Sequence, residues 1–366
     1  MEGMERGCIT YSIAYLTGII AAGTFFPCHL LPITAVALLL PLCIIYRKRT
    51  LPFIIFSHLA LFSAGIGGYS IAKANENVPK SPIIRTITEK AGTAQHNTSV
   101  YLKNFASSPD NHAILCALTI GNKKEIGRDL KNAYSNAGAL HILALSGLHV
   151  GIMYSILQTM LFPLKLFPPI KWITDGFSFL FILLYVAVSG CSPSVVRAGT
   201  MIVIYKIGKA SFRDVGKWDA IGLSALIIGI AAPLQVGSIG FQLSYAAVTG
   251  ISLLYPTCHN SFETIFRKPS GAGKFIYTAV LKLWESLSIT LCCQIETLPI
   301  LIYHFGGIAQ FFLITNLLAI PLATAILYIF VLSLAFQWVP FANNLLTGLL
   351  NLLISYMNNI IICIST

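Results

Sequence analysis

Repeated apolar runs, each close to the length that crosses a bilayer, constrain this chain more than any other feature. They fall at about 8–26, 29–46, 51–72, 139–164, 172–190, 193–208, 218–233, 238–255, 277–302, 308–336 and 341–364. A transmembrane helix needs about 20 predominantly apolar residues, so the pattern predicts an all-α, polytopic integral membrane protein with about eleven transmembrane helices. The composition agrees: 56% of residues are hydrophobic and 10% charged, against about 25% charged in soluble domains. The opening MEGMERGCITYSIAYLTGIIAAG reads as a retained first span, because its start is not clearly basic and a second run follows at once.

The basic loops give an orientation. Arg47, Lys48 and Arg49 separate runs two and three, and Lys165 and Lys171 separate four and five. Lys206, Lys209, Arg213 and Lys217 separate six and seven; Arg267, Lys268 and Lys274 separate eight and nine. With alternating spans all four loops lie on one side, which the positive-inside rule makes cytoplasmic. The N-terminus is then expected inside, and the long polar stretch 73–138 outside. That stretch divides the chain into a membrane segment 1–72, a polar segment 73–138 and a membrane domain 139–366. It carries nine basic residues against five acidic, while the whole chain has a net charge of +11. Basic loops and a polyanionic partner both produce such an excess. Residues 110–137 alternate apolar and charged positions at helical spacing, which predicts an amphipathic helix along the interface.

The nine cysteines fall mostly within apolar runs without a CxxC, and read as small buried hydrophobes. The eight histidines show neither HxH nor HExxH, and no GxxxxGK[ST] is present. A metal-dependent hydrolase site, a P-loop and a cofactor are therefore not expected.

Polar residues inside apolar runs are costly and normally face a bundle interior or a water-filled path. Four clusters qualify. In HILALSGLHVGI, Ile142, Ser146 and His149 have the spacing of one helix face, and Gly147 and Gly151 permit close packing. In GCSPSVVRAGTM, Arg197 lies just inside a run, where it either snorkels to the interface or meets a phosphate. In PLQVGSIGFQLSYAAVTGI, Pro233, Gly237 and Gly240 predict a broken or re-entrant helix ahead of Gln242 and Tyr245. The last cluster, from Glu285 to Asn316, includes Glu296 and His304, and Glu296 is an interhelical partner candidate for Arg197. Each also has a bland reading as a packed, hydrogen-bonded face.

Taken in order, these stretches resemble the ComEC family of bacterial DNA-uptake channels. HILALSGLHVGI is similar to its HLLAISGLHVG, SPSVVRAGTM to ASVVRA, and GFQLSYAAVTGI to FQLSFAAVxGI. ETLPILIYHFGGIAQFFLITNLLAIPLA is similar to its LPxxxYHF…NLxAxP segment. The resemblance implies a non-enzymatic inner-membrane channel that passes one DNA strand into the cytoplasm during natural transformation. Carried over by position, its motif residues here include His141, Ser146, Gly147, His149, Arg197, Gln242, Ser244, His304 and Asn316. Tyr245 and Glu296 join the expected DNA path from the residue reading, and Phe241, Tyr245 and Tyr303 are candidates to stack on bases.

Family members also carry an extracytoplasmic OB-like domain and a C-terminal metallo-β-lactamase-like domain. Residues 73–138 are short for an OB barrel, and the chain stops at Thr366. The resemblance therefore implies as partners single-stranded DNA, a separately encoded nuclease, cytoplasmic DNA-translocating or binding proteins and membrane lipid, with a homo-oligomer left open. The alternative reading is a small-solute or ion permease on a related scaffold, with Glu296, Arg197 and the histidines as its coupling site.

Overall fold

The computed structural model describes residues 7–24, 36, 39, 50–76, 82–166, 170–210, 216–265, 273–306 and 311–365. Among them every regular element is helical. The run expected over 29–46, apart from positions 36 and 39, and the basic residues Arg47, Lys48, Arg49, Arg213, Arg267 and Lys268 lie outside the described residues. The helices are α1 (Gly7–Thr24), α2 (Thr50–Ala74), α3 (Pro82–Leu102), α4 (Pro109–Ile120), α5 (Arg128–Asn136), α6 (Leu140–Leu143) and α7 (Gly147–Lys165). They continue as α8 (Lys171–Val188), α9 (Pro193–Ala210), α10 (Lys217–Ala231), α11 (Ile239–Ile265), α12 (Gly273–Phe305), α13 (Phe312–Ala335) and α14 (Pro340–Ser365).

Among the described residues five stretches are long and apolar enough to cross a membrane: Ile55–Ala74, Gly147–Lys165, Val280–His304, Phe312–Ala335 and Pro340–Ser365. Ile9–Gly23 and Trp172–Val188 are shorter apolar helices. The chain is a membrane protein. The expected count of about eleven spans is not reached among the described residues. Helix α10, for example, has 15 residues, roughly 22 Å at 1.5 Å per residue, against a hydrocarbon core of about 30 Å.

The chain forms two compact units. One comprises residues 1–81 and 200–249. Here glycines let α1, α2 and α10 approach closely, as small residues do between membrane helices. A side chain at Gly18 would strike the carbonyl of Phe62, and one at Gly65 the carbonyl of Tyr15. Gly229 stands against Tyr15 and Leu16. The Ser12 hydroxyl donates to the carbonyl of Gly222 at 2.6 Å. Around this crossing Tyr15, Ile19, Ala225, Ile228, Val236 and Phe241 form one core. The break expected near Pro233 is present: α10 stops at Ala231, a 3-10 turn covers Pro233–Gly237, and α11 begins at Ile239.

The second unit comprises residues 82–199 and 250–366. Helices α13 and α14 are consecutive neighbours. On α14, Leu350, Ile354, Met357 and Ile361 recur at i, i+4, i+7 and i+11 and are fully buried, the stripe of a helix with one packed face. On α13 the matching positions are Ala319, Ala323, Ile326, Leu327 and Phe330.

The polar stretch differs most from expectation. It holds three helices, and α4 is buried on every side from Asn111 to Ile120. The physical reason is its sequence, NHAILCALTI, which is apolar around nearly its whole circumference and so is packed among neighbours rather than laid on an interface. Ser108 caps α4 by accepting from the amide of Asn111 at 3.1 Å, Pro109 opens it and Gly121, at φ 71°, closes it. Helix α5 does follow the amphipathic spacing, burying Leu130 and Tyr134 while Arg128 and Lys131 stay exposed.

The stretch also runs along α14. Tyr101 bonds Gln337, Asn111 bonds Asn351, and Tyr134 bonds Asn358. Gln337 stands in the turn just ahead of α14, whereas Asn351 and Asn358 lie two turns apart on that helix.

Candidate functional site

The HILALSGLHVGI stretch is a helix break. Helix α6 ends at Leu143, Ala144 turns to extended geometry, and Ser146 is the N-cap of α7. Ser146 and His149 were expected one above the other on a continuous helix. They are instead N-cap and N3, tied reciprocally: the Ser146 amide donates to His149 Nδ1 at 3.4 Å, and the Ser146 hydroxyl lies 3.0 Å from the same nitrogen. With Nδ1 accepting, the ring hydrogen of the neutral imidazole sits on Nε2. His149 is 2% exposed, and Nε2 is buried without a hydrogen-bond partner among the described residues. His141, by contrast, is exposed on α6.

The second motif meets the first. A side chain at Gly147 would stand 3.5 Å from the Cβ of Ala198, the neighbour of Arg197 on α9. Arg197 is 2% exposed and its Nη2 donates to the Ser194 hydroxyl at 3.0 Å. The snorkelling alternative is thereby set aside, since the guanidinium is inside the unit. The turn that launches α9 has positive φ at Gly190 (68°) and at Cys191 (53°), a conformation a non-glycine residue adopts only at a cost.

That turn is held by residues of the polar stretch. Gln95 Nε2 donates to the carbonyls of Ile120 at 2.9 Å and Ser189 at 3.3 Å, joining the C-terminal ends of α4 and α8. Tyr185 donates to the carbonyl of Thr119 at 2.9 Å. Gly121 closes the same corner, because a side chain there would come within 2.9 Å of Leu145.

The remaining candidates are distributed. In the first unit, the Gln242 amide reaches its own turn at the carbonyl of Gly237 (3.4 Å), and Tyr245 is 3.1 Å from the Ser224 hydroxyl. Phe241 packs on Tyr245 inside the apolar core, so of the three base-stacking candidates it is not available. Tyr303, 84% exposed and edge-on to His304, is. In the second unit, Glu296 packs its aliphatic part against Gly250, where an added side chain would come within 2.6 Å of it and of the Cys292 carbonyl. Motifs three and four thus cross at Gly250. Arg197 is hydrogen-bonded within its own helix. Asn316 is buried on α13 beside Thr315, and the Asn316 Oδ1 and Thr315 Oγ1 have no hydrogen-bond partner among the described residues. Gly151 has open space where a side chain would go. No group of three or more metal-ligating side chains occurs among the described residues.

Two polar clusters were missed. Asn351 accepts from the Ser107 amide (2.8 Å) and Asn111 (3.0 Å), and donates to the carbonyl of Phe105 (2.9 Å). The signal was present in α14, where Thr347, Asn351, Ser355 and Asn358 recur at i, i+4, i+8 and i+11. The other cluster surrounds His112. Its Nδ1 is 2.8 Å from the Glu125 carboxylate and its Nε2 2.8 Å from the Ser99 carbonyl, with Cys116 Sγ at 3.2 Å. The order Cys, His, Glu resembles a nucleophilic triad, but burial pushes the Cys116 thiol up to about 11 and the sulfur is fully enclosed. A neutral buried thiol is structural.

With the geometry in place, the comparisons define the class. Residues 118–366 match the family described as Competence protein, which covers more than half of the chain. The chain belongs to that family. It is 30% identical over 264 residues to ComE operon protein 3 of Bacillus subtilis (strain 168), covering 70% of this chain and 31% of that protein. It is 26% identical over 220 residues to the uncharacterized protein YcaI of Escherichia coli (strain K12), covering 59% and 28%. Against recombination protein 2 of Haemophilus influenzae the identity is 24% over 261 residues, covering 67% and 32%. The chain spans about a third of the length of these curated relatives. No solved structure matches.

Proposed function

We propose that this chain forms the membrane path for a single DNA strand during natural transformation, in the inner membrane with its N-terminus cytoplasmic. A nuclease acts on the complementary strand outside this path, and cytoplasmic DNA-translocating or binding proteins receive the product. Family membership and the names of two relatives, a ComE operon protein and a recombination protein, support the reading. The observation that carries it is the meeting of the first two motifs at a helix break, where His149 is buried with Nε2 unpartnered. A buried donor left unpaired costs about 1–3 kcal/mol, so such a group is kept where it meets a guest or water. His149, Ser146 and Arg197 line the path in this account, and Asn316 and Thr315 supply further polar groups along α13. Glu296 and His304 extend this path by their motif positions, and Gln242 and Tyr245 are motif residues of the first unit, with the chain acting as a channel and not as an enzyme.

The test is uptake of end-labelled duplex DNA by cells with and without the gene, scoring nuclease-protected cytoplasmic single strand. Loss of that signal on deletion, with surface binding unchanged, is the expected result. Uptake that persists undiminished contradicts the proposal.

A further inference from the structure

The short connection from α4 to α5 carries Lys123 and Lys124, and the first turn of α5 adds Arg128 and Lys131. All four side chains are exposed, and none has an ion-pair or hydrogen-bond partner among the described residues. Burial and the neighbouring Lys131 ammonium hold the Lys123 ammonium below its ordinary range. Lys123 and Lys131 thus lie close enough to repel each other.

The acid nearest them in sequence is engaged elsewhere. Glu125 lies between Lys124 and Arg128 in sequence, yet its two oxygens are taken by His112 Nδ1 at 2.8 Å and the Ser99 hydroxyl at 3.2 Å. Asp129 is the other carboxylate of the turn. The N-terminus of α5 also faces this turn uncapped by any side chain, because its N-cap is Gly127, and free amides at a helix start favour an anion. An engaged carboxylate, four cations without a side-chain partner among the described residues and open helix amides converge on one surface. That surface begins at Gly121, packed against Leu145, the residue before Ser146.

We infer that the 121–131 turn is a docking surface for the phosphodiester backbone of DNA, which delivers the strand to the helix break at Ser146 and His149. The inference rests on the DNA reading above and adds to it the place of first contact. Charge complementarity selects the occupant: a run of regularly spaced phosphates matches four cations and exposed amides, and the turn has no aromatic side chain on which a base would stack. His112 and Ser99 act here as positioning residues, since they engage both oxygens of Glu125.

The test uses the full chain reconstituted in nanodiscs of neutral phosphatidylcholine, with a labelled single-stranded oligonucleotide and a salt titration read by fluorescence anisotropy. Each phosphate contact on a single strand contributes about 0.7 to the slope of log K against log salt. Lys123→Gln with Lys131→Gln should flatten the slope by about 1.4, and adding Lys124→Gln and Arg128→Gln by about 2.8 in total. Arg85→Gln with Lys90→Gln, an equal charge change on α3, should leave it unchanged. Equal flattening by both pairs means that net charge alone acts, and overturns the inference. An unchanged slope in the quadruple variant also overturns it, as does loss of binding to vesicles containing phosphatidylglycerol while the DNA slope stays intact. These outcomes are separate from the channel reading, which the cellular uptake assay tests by itself.

Discussion

Two buried polar regions of the second unit behave in opposite ways. Around Asn351 and His112 each polar side chain meets its counterpart: amide to carbonyl, imidazole to carboxylate, hydroxyl to carboxylate. Around the helix break and on α13, His149 Nε2, Thr315 Oγ1 and Asn316 Oδ1 are buried without one among the described residues. A satisfied buried network rigidifies a fold, whereas a partly satisfied one weakens it. The first region holds helices together, and the second is the one that the proposed function assigns to the passing strand.

Substitutions can break that contrast, and the largest effect is expected at Asn351. Asn351→Leu strands the Ser107 amide, the Asn111 side chain and the Phe105 carbonyl at once, and should destabilise the folded protein by about 3 kcal/mol. Thermal unfolding in detergent measures it; a change below about 1 kcal/mol would show that water replaces the side chain.

Next is the crossing of motifs three and four. Gly250→Ala places a methyl within 2.6 Å of the Cys292 carbonyl and the Glu296 side chain, and overpacking of this kind costs roughly 1–3 kcal/mol. Gly147→Ala meets only the Cβ of Ala198 at an ordinary 3.5 Å and should leave the melting temperature nearly unchanged. Comparable losses from both would refute the steric account.

Glu125→Gln is expected to weaken the His112 cluster by about 1.5 kcal/mol, the difference between a charge-assisted and a neutral hydrogen bond. Cys116 is a built-in reporter, since its thiol is fully enclosed. Maleimide labelling at Cys116 should accelerate in the variant, and an unaltered rate would mean that the carboxylate does not hold the cluster.

The smallest stability effect is expected at His149. His149→Ala removes only the half of the capping box that the imidazole supplies, about 0.5–1 kcal/mol, while abolishing uptake. A large stability loss would move His149 into the structural class with Asn351.

Much of this arrangement was legible in the sequence because apolar runs and helix breakers act locally. The runs at 172–190, 308–336 and 341–364 became α8, α13 and α14 nearly at their predicted ends, and Pro233 and Gly237 mark the break before α11. The break before Ser146 was not legible, since HILALSGLHV has the periodicity of one helix. It is fixed by tertiary contact at Leu145 with Gly121 and at Gly147 with Ala198. Burial of α4 was misread for a related reason: its charged flanks, Asp110 and Lys123, disguise an apolar centre that neighbouring helices cover. Gln95 and Tyr185 carried no signal at all, because their role is to bond backbone carbonyls distant in sequence.

The most direct test of the account concerns His149 itself. In a chain with its native cysteines replaced, His149→Cys would be alkylated by a membrane-impermeant thiol reagent, with Leu180→Cys, half-exposed on α8, as the lipid-facing control. The account predicts labelling at 149 well above the control, and protection when a DNA strand is entering. Labelling at 149 no faster than at 180, and indifferent to the strand, would contradict it.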